Sequence, residues 1–189
     1  GETTRLRNIA TCIERSHLEI AALCLSVYAA GLACLVEDEM DLGCTVVDMG
    51  GGVTSIAVFQ GGNLVFSDAI PVGGNHVTSD VAQGLTCSLA DAERIKTLYG
   101  SAMASGTDES EYIDVPLIGE DSLHHPHHVP RSLLVGIIQP RLEEVFELAR
   151  ARLNDSGFAR AAGRRVVLTG GASQLPGLRE LGQLVLDKQ

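Results

Sequence analysis

Apolar and polar positions follow two rhythms along this chain, and the switches between them predict its elements. Residues 2–17 place Leu6, Ile9, Ala10 and Ile13 on one helical face. Residues 20–36 form a long apolar run, interrupted mainly by Ser26, Tyr28 and Gly31. That length reaches the lower limit for crossing a bilayer, but Glu19 precedes it, Glu37, Asp38, Glu39 and Asp41 follow, and no Lys or Arg anchors either flank. The run therefore reads as a buried strand over residues 20–27 and a buried helix over 28–37, stopped at Gly43.

Residues 44–49 are a short apolar run ending in an acid, suited to a central strand, and residues 54–59 alternate with β-branched side chains. Gly61-Gly62 marks a hairpin, and residues 64–72 return as a third strand of an antiparallel meander. Asn75 is placed to cap a helix through Val77, Val81, Ala82 and Leu85. Ser88 opens another in the manner of a capping box, with Asp91 in place of Glu, and Gly100 ends it. Residues 101–130 lack helical periodicity, with room for one or two short strands over 111–118. Residues 133–153 form the longest helix, which Pro140 should bend or begin. A strand over 164–168, a turn over 169–172 and a helix over 176–186 complete the chain, without internal repeats.

Composition narrows the class. The 189 residues are 45% hydrophobic and 4% aromatic, with 24 acidic against 14 basic side chains and a net charge of −10. Disorder is excluded by the apolar content, and sequence-blind nucleic-acid binding by the charge. Cys12, Cys24, Cys34, Cys44 and Cys87 include no C-x-x-C pair and mostly lie in apolar runs, so they read as reduced thiols packed as small hydrophobes in a cytosolic protein. Nothing near Gly1 reads as a signal peptide, and the missing Met suggests a piece of a longer chain.

Two glycine turns carry the candidate chemistry. In Asp48-Met49-Gly50-Gly51-Gly52-Val53-Thr54, three glycines between strands allow several N–H groups to converge on one concave spot, which attracts phosphate oxygens. Asp48 is placed to hold Mg²⁺ through its water shell. The bland alternative is a glycine-rich hairpin. In Val166-Val167-Leu168-Thr169-Gly170-Gly171-Ala172-Ser173, a strand ends in a Gly-Gly turn ahead of Pro176, so a flat ligand can approach bare backbone; the alternative is a plain strand-to-helix connection. Neither G-x-G-x-x-G nor a P-loop occurs.

Together the two turns resemble the phosphate and adenosine loops of the actin, heat-shock chaperone and hexokinase superfamily. Asp48, Gly50, Gly52 and Thr54 match its Asp-x-Gly-x-Gly-x-Thr loop, and residues 166–172 match its apolar strand ending in Gly-Gly. Within it the chain is most similar to the FtsA family of bacterial cell-division proteins, through residues 47–52, 70–80, 92–96 and 167–177. The resemblance implies an α/β, actin-like (ribonuclease H-like) second half. Residues 28–75 and 164–189 would form an inner lobe with a mixed sheet, residues 76–163 a smaller α+β outer lobe inserted in it, and residues 1–27 the tail of a preceding subdomain. It further implies ATP and Mg²⁺ as ligands, with Asp48, Gly50, Gly51, Gly52, Val53, Thr54, Glu93, Lys96, Gly170, Gly171, Ala172 and Gln174 around the nucleotide. No catalytic residue is assigned.

Many relatives have Thr where this chain has Val53 and an acid where it has Ser55. Those departures do not exclude binding but weaken the case for hydrolysis, so at most slow ATPase activity is expected of a full-length parent and none of this chain. Glu93 and Lys96 otherwise read as an exposed i,i+3 pair, and Asn75 and Thr78 as helix caps. His124, His125, His127 and His128 read as a solvated loop, able to capture Zn²⁺ only opportunistically.

The family resemblance also implies a scaffold that self-associates and tethers FtsZ filaments at the cytoplasmic face of the inner membrane, reaching the bilayer through a segment not present here. The outer lobe would dock the FtsZ C-terminal tail through a groove rimmed by Arg side chains of the late region. Two alternatives share the superfamily: a small-molecule kinase, whose catalytic Asp is not recognisable, and a pilus-assembly protein, which shares both glycine loops.

Overall fold

The computed structural model describes residues 3–116 and 127–188. Along the chain lie α1 (Thr3–Arg15), α2 (Ser26–Cys34), α3 (Glu37–Leu42), β1 (Cys44–Met49), β2 (Thr54–Gln60), β3 (Asn63–Ile70), α4 (Gly74–Leu85) and α5 (Leu89–Tyr99). They are followed by β4 (Tyr112–Val115), β5 (His127–Pro130), α6 (Arg131–Asp155), β6 (Arg165–Thr169), a 3-10 turn (Gly171–Gln174) and α7 (Leu178–Leu186).

The meander forms as expected. β1 pairs antiparallel with β2, with Met49 opposite Thr54, and β2 antiparallel with β3. β6 then adds parallel to β1, with Asp48 opposite Thr169, giving a mixed four-stranded sheet in the order β3-β2-β1-β6. This pairing brings the two glycine turns together, because both leave the same end of adjacent parallel strands. Sequence distance becomes one strand spacing, about 4.8 Å.

Both faces of the sheet are covered, so β1 and β2 read as nearly continuous apolar runs. Cys44, Val46, Ala57 and Phe59 point to one face and pack with Val27 and Leu35, with Tyr28 stacked on Phe59 at 6.1 Å between centroids. Val47, Met49, Ile56 and Val58 point to the other and join a core that runs through Val77 and Val81 of α4, Leu142 and Phe146 of α6, and Leu178 and Leu181 of α7. That core is continuous across residue 163. The long α6 contributes both to the sheet layer and to the group formed with α4 and α5, and it runs on through Pro140 rather than starting there.

Ser88 caps α5, accepting the Asp91 N–H at 3.1 Å, while the shorter Asp carboxylate takes the Ser88 hydroxyl at 2.6 Å.

Several expectations need correction. Residues 20–27 form no strand: residues 18–25 carry no regular structure, with Leu18, Leu23 and Leu25 exposed, and α2 begins at Ser26. A strand needs a neighbour to take its N–H and C=O groups, and no described element supplies one. The apolar face of α1 is likewise open at Leu6 and Ile9. For the same reason the thiols divide: only Cys44 and Cys87 are buried, while Cys12, Cys24 and Cys34 are exposed. The cap of α4 is Gly73, with Asn75 already inside the first turn. His127 and His128 lie in β5, with His128 Nδ1 2.5 Å from Asp114 Oδ1 across the two-stranded sheet, whereas His124 and His125 lie outside the described residues. The strand expected within 111–118 is β4, and residues 117 and 118 are likewise outside the described set. Among the described residues no helix is long and apolar enough to cross a membrane.

Candidate functional site

The bend after β1 is held from two sides. Within it, the Gly50 N–H donates to the Val53 carbonyl at 3.0 Å. From outside, the first turn of α4 sits on it, with the Gly74 N–H donating to the Gly50 carbonyl at 2.9 Å and the Asn75 N–H to the Gly51 carbonyl at 2.8 Å. Such contact needs a bare Cα at Gly73, where a Cβ would stand 2.5 Å from the Gly50 oxygen and 2.7 Å from the Gly51 oxygen. With its carbonyls engaged, the bend keeps its donors: among the described residues the N–H groups of Gly51, Gly52 and Val53 have no protein acceptor. Free N–H groups on such a bend are the donors an anion-binding concavity needs.

The second bend follows β6. Gly170 has φ +89°, and a Cβ there would meet the Met49 carbonyl oxygen at 2.5 Å and Asp48 Oδ1 at 2.6 Å, so only glycine lets β6 leave the sheet so close to β1. Ser173 folds back, its hydroxyl donating to the Gly170 carbonyl at 2.7 Å.

A third wall comes from α5. Lys96 Nζ lies 2.7 Å from Glu93 Oε2, 2.9 Å from Thr78 Oγ1 and 3.3 Å from the Gly74 carbonyl oxygen, and Thr78 also donates to Glu93 Oε2. Burial pushes the Glu93 carboxyl up, but hydrogen bonds from Lys96 and Thr78 outweigh it and hold it below its ordinary value of 4.5. The pair, whose alternative reading was a plain surface i,i+3 contact, is thus anchored to α4.

The three walls enclose one cavity of about 280 Å³. It is lined by Gly50, Gly51, Glu93, Lys96, Gly171, Ala172 and Gln174 from the expected set. Gly74, Asn75, Val77, Thr97, Leu142, Leu175 and Pro176 join them. Backbone and a few polar groups over an apolar lining is the composition of a small-molecule pocket, and this one falls just below the usual range of about 300–1,000 Å³.

Other expected residues lie behind the wall. Thr54 is fully buried, its hydroxyl donating to the Val72 carbonyl at 2.8 Å. Val53 and Gly52 are exposed beside the bend, Gly170 packs on β1, and Asp48 is half-buried at the strand end. By sequence Asn75 reads as a helix cap rather than a ligand. Yet its side-chain amide lies 3.1–3.3 Å from where a Gly51 Cβ would stand, and it faces the cavity. The signal for it was its place directly after Gly73-Gly74, where a helix start meets a glycine bend.

The basic side chains of the late region are largely committed within the molecule. Arg141 meets Asp80 at 2.6 Å and Glu144 at 2.5 Å, Arg152 meets Asp68 at 3.3 Å, Arg165 meets Glu39 at 2.7 Å, and Arg150 donates to the Val185 carbonyl at 3.1 Å. They tie helices to one another and to the sheet.

A mixed sheet whose paired turns line a cavity beside a helical group is the arrangement of an actin-like fold, and solved structures share that fold. MreB5 of Spiroplasma citri bound to ADP superposes with a TM-score of 0.79 at 20% identity, over 99% of this chain and 58% of that one. PilM of the PilM-PilN type IV pilus biogenesis complex gives 0.70 at 19% identity, over 97% and 45%.

The sequence relationship is narrower. The family model described as "Cell division protein FtsA" matches residues 45–189. The cell division protein FtsA of Rhizobium meliloti (strain 1021) is 49% identical over 186 residues, 98% of this chain and 42% of that protein. The FtsA of Bacillus subtilis (strain 168) is 39% identical over 98% of this chain and 41% of its own length. The chain belongs to the FtsA family of cell division proteins, and it spans about two fifths of the length of the curated relatives it matches. Family membership sets aside the pilus-assembly and kinase alternatives.

Proposed function

We propose that this chain forms one side of the adenine-nucleotide site of a cell-division scaffold, ATP acting mainly as a ligand that orders two lobes. The observation that carries the reading is the meeting of the two glycine bends and the Glu93–Lys96 pair around one cavity. The unpaired N–H groups of Gly51, Gly52 and Val53 suit phosphate oxygens, and the bare backbone of Gly171 and Ala172 suits a flat base. Asp48 makes no ion pair among the described residues and would hold Mg²⁺ through water. Bound there, the metal would supply charge neutralisation for the phosphates. The likeness to MreB5, whose structure carries ADP, supports a nucleotide in this fold.

The division into an inner lobe (residues 28–75 and 164–189) and an outer lobe (76–163) belongs to the same reading, with α6 joining the two. So does the docking of an FtsZ tail on the outer lobe and tethering at the inner membrane. For the docking, α5 and β4 offer exposed Leu98, Tyr99 and Tyr112 beside the start of α6, where Leu133 is exposed. That is an apolar surface for a short amphipathic peptide.

Calorimetric titration with Mg-ATP tests the site. Because this chain would form one side of the site, binding weaker than micromolar is expected, and sub-micromolar affinity would show that the site is complete in this chain. Chemical-shift mapping of an FtsZ tail peptide tests the docking. Shifts are expected near Leu98, Tyr99 and Tyr112, and shifts confined to residues around Asp48 would refute it.

A further inference from the structure

Thr78 is 6% exposed, one turn into α4, and does not line the cavity, yet Gly74, Glu93 and Lys96 all meet at its hydroxyl. Oγ1 lies 3.0 Å from the Gly74 carbonyl oxygen, contacts Glu93 Oε2, and accepts from Lys96 Nζ at 2.9 Å. A hydroxyl has one proton to give. The carboxylate is the stronger acceptor, since a bond to an ionised group is shorter and stronger than a neutral one. The Gly74 carbonyl is not stranded by that choice, because Lys96 reaches it at 3.3 Å.

Two consequences follow. The three donors of the Lys96 ammonium are all directed inward, to Glu93, Thr78 and Gly74, so Lys96 acts as a strut rather than as a free cation for phosphate. The network is also continuous with the phosphate side of the site. Gly74, whose carbonyl receives Lys96, donates its N–H to the Gly50 carbonyl of the triple-glycine bend.

We infer that Thr78 is a positioning residue, its hydroxyl fixing the Glu93–Lys96 pair of α5 in register with the bend that would hold the phosphates. The inference rests on the nucleotide-site reading above and adds that the two ends of the ligand are aligned through one buried hydroxyl. A ligand contacting both walls feels its loss, whereas one contacting the bend alone does not.

The test compares the unaltered chain with Thr78→Val, which keeps the shape and removes the hydroxyl, and Thr78→Ser, which keeps the hydroxyl and removes a methyl. The readouts are the Glu93 carboxyl titration by carbon-detected NMR and calorimetric binding of ATP and of inorganic pyrophosphate. For Thr78→Val the Glu93 titration should move up towards its ordinary 4.5 and ATP binding weaken about tenfold, with pyrophosphate binding unchanged. Thr78→Ser should restore both, which a loss of packing alone would not do. Thr78→Val with an unmoved Glu93 titration, or Thr78→Ser behaving like Thr78→Val, would overturn the inference. If the unaltered chain binds no ATP, the nucleotide reading fails, and the Glu93 titration series still decides the role of Thr78 alone.

Discussion

Replacing Gly73 by alanine should separate α4 from the glycine bend. The new methyl would sit 2.5 Å and 2.7 Å from two backbone oxygens, and neither can swing away as a side chain would. The Gly50 oxygen belongs to a residue already tied to Val53, so the accommodating movement falls on α4. Backing off by a few tenths of an ångström lengthens the bonds from Gly74 and Asn75, now 2.9 Å and 2.8 Å. Two weakened hydrogen bonds are worth about 1 kcal/mol each, and overpacking a well-fitted contact costs about 1–3 kcal/mol. Against this, alanine lowers unfolded-chain freedom by about 0.4–1 kcal/mol. The net expectation is about 2–4 kcal/mol of destabilisation. With a urea dependence of about 2 kcal/mol/M, the unfolding midpoint should fall by about 1–2 M at unchanged slope. Gly136→Ala is the control: that glycine is exposed inside α6 with open space around it, and the change should stabilise by up to about 1 kcal/mol. A Gly73→Ala midpoint within error of the unaltered chain would refute the claim that this helix is seated directly on the bend.

Further outcomes follow from the same contacts. The Glu93 carboxyl is held below its ordinary 4.5, so its contribution to stability is complete above that pH and is lost as pH falls through the lower folded value. Acid unfolding of Glu93→Gln should therefore show a shallower pH dependence below about 4.5 than the unaltered chain. Burial, with Glu39 nearby and Arg165 partly opposing, pushes the Cys44 thiol to about 11. Alkylation at pH 8 followed by mass spectrometry should modify Cys12, Cys24 and Cys34 quickly and reach Cys44 and Cys87 only on unfolding. Rapid labelling of Cys44 in the folded chain would contradict the sandwiched sheet. Arg141→Met should destabilise by about 1–2 kcal/mol, since it removes a half-buried partner of Asp80 that ties α6 to α4. An unchanged melting temperature would show that this pair contributes nothing.

How much the sequence discloses depends on whether an element is specified locally. The meander is legible because β1 and β2 are apolar on both faces and Gly61-Gly62 turns the chain. The helix from Leu89 is legible because Ser88 and Asp91 cap it within one turn. Residues 18–25 mislead because an apolar run becomes a strand only if another strand accepts its hydrogen bonds, and nothing local says whether one does. The start of α4 misleads for a related reason. Asn75 has the chemistry of a cap, but the close approach of Gly73 to the bend places the first turn two residues earlier. In the site, the glycines were visible as patterns, whereas the fate of each polar side chain was not. Thr54 carries the motif's hydroxyl and turns it to Val72, while Thr78, which reads as a cap rather than a ligand, gathers the Glu93–Lys96 pair. Leu175 and Pro176 looked like ordinary turn residues, and the pairing of β6 with β1 brings them to the cavity, while Leu142 reaches it from the packed face of α6.

Backbone amide shifts recorded during a Mg-ATP titration of this chain test the joint site most directly. Movement at Gly51–Val53, at Gly171–Gln174 and at Lys96, along a single binding curve, is the expected result. Shifts at only one of the two bends, or separate curves for the two, would mean that they do not hold one ligand.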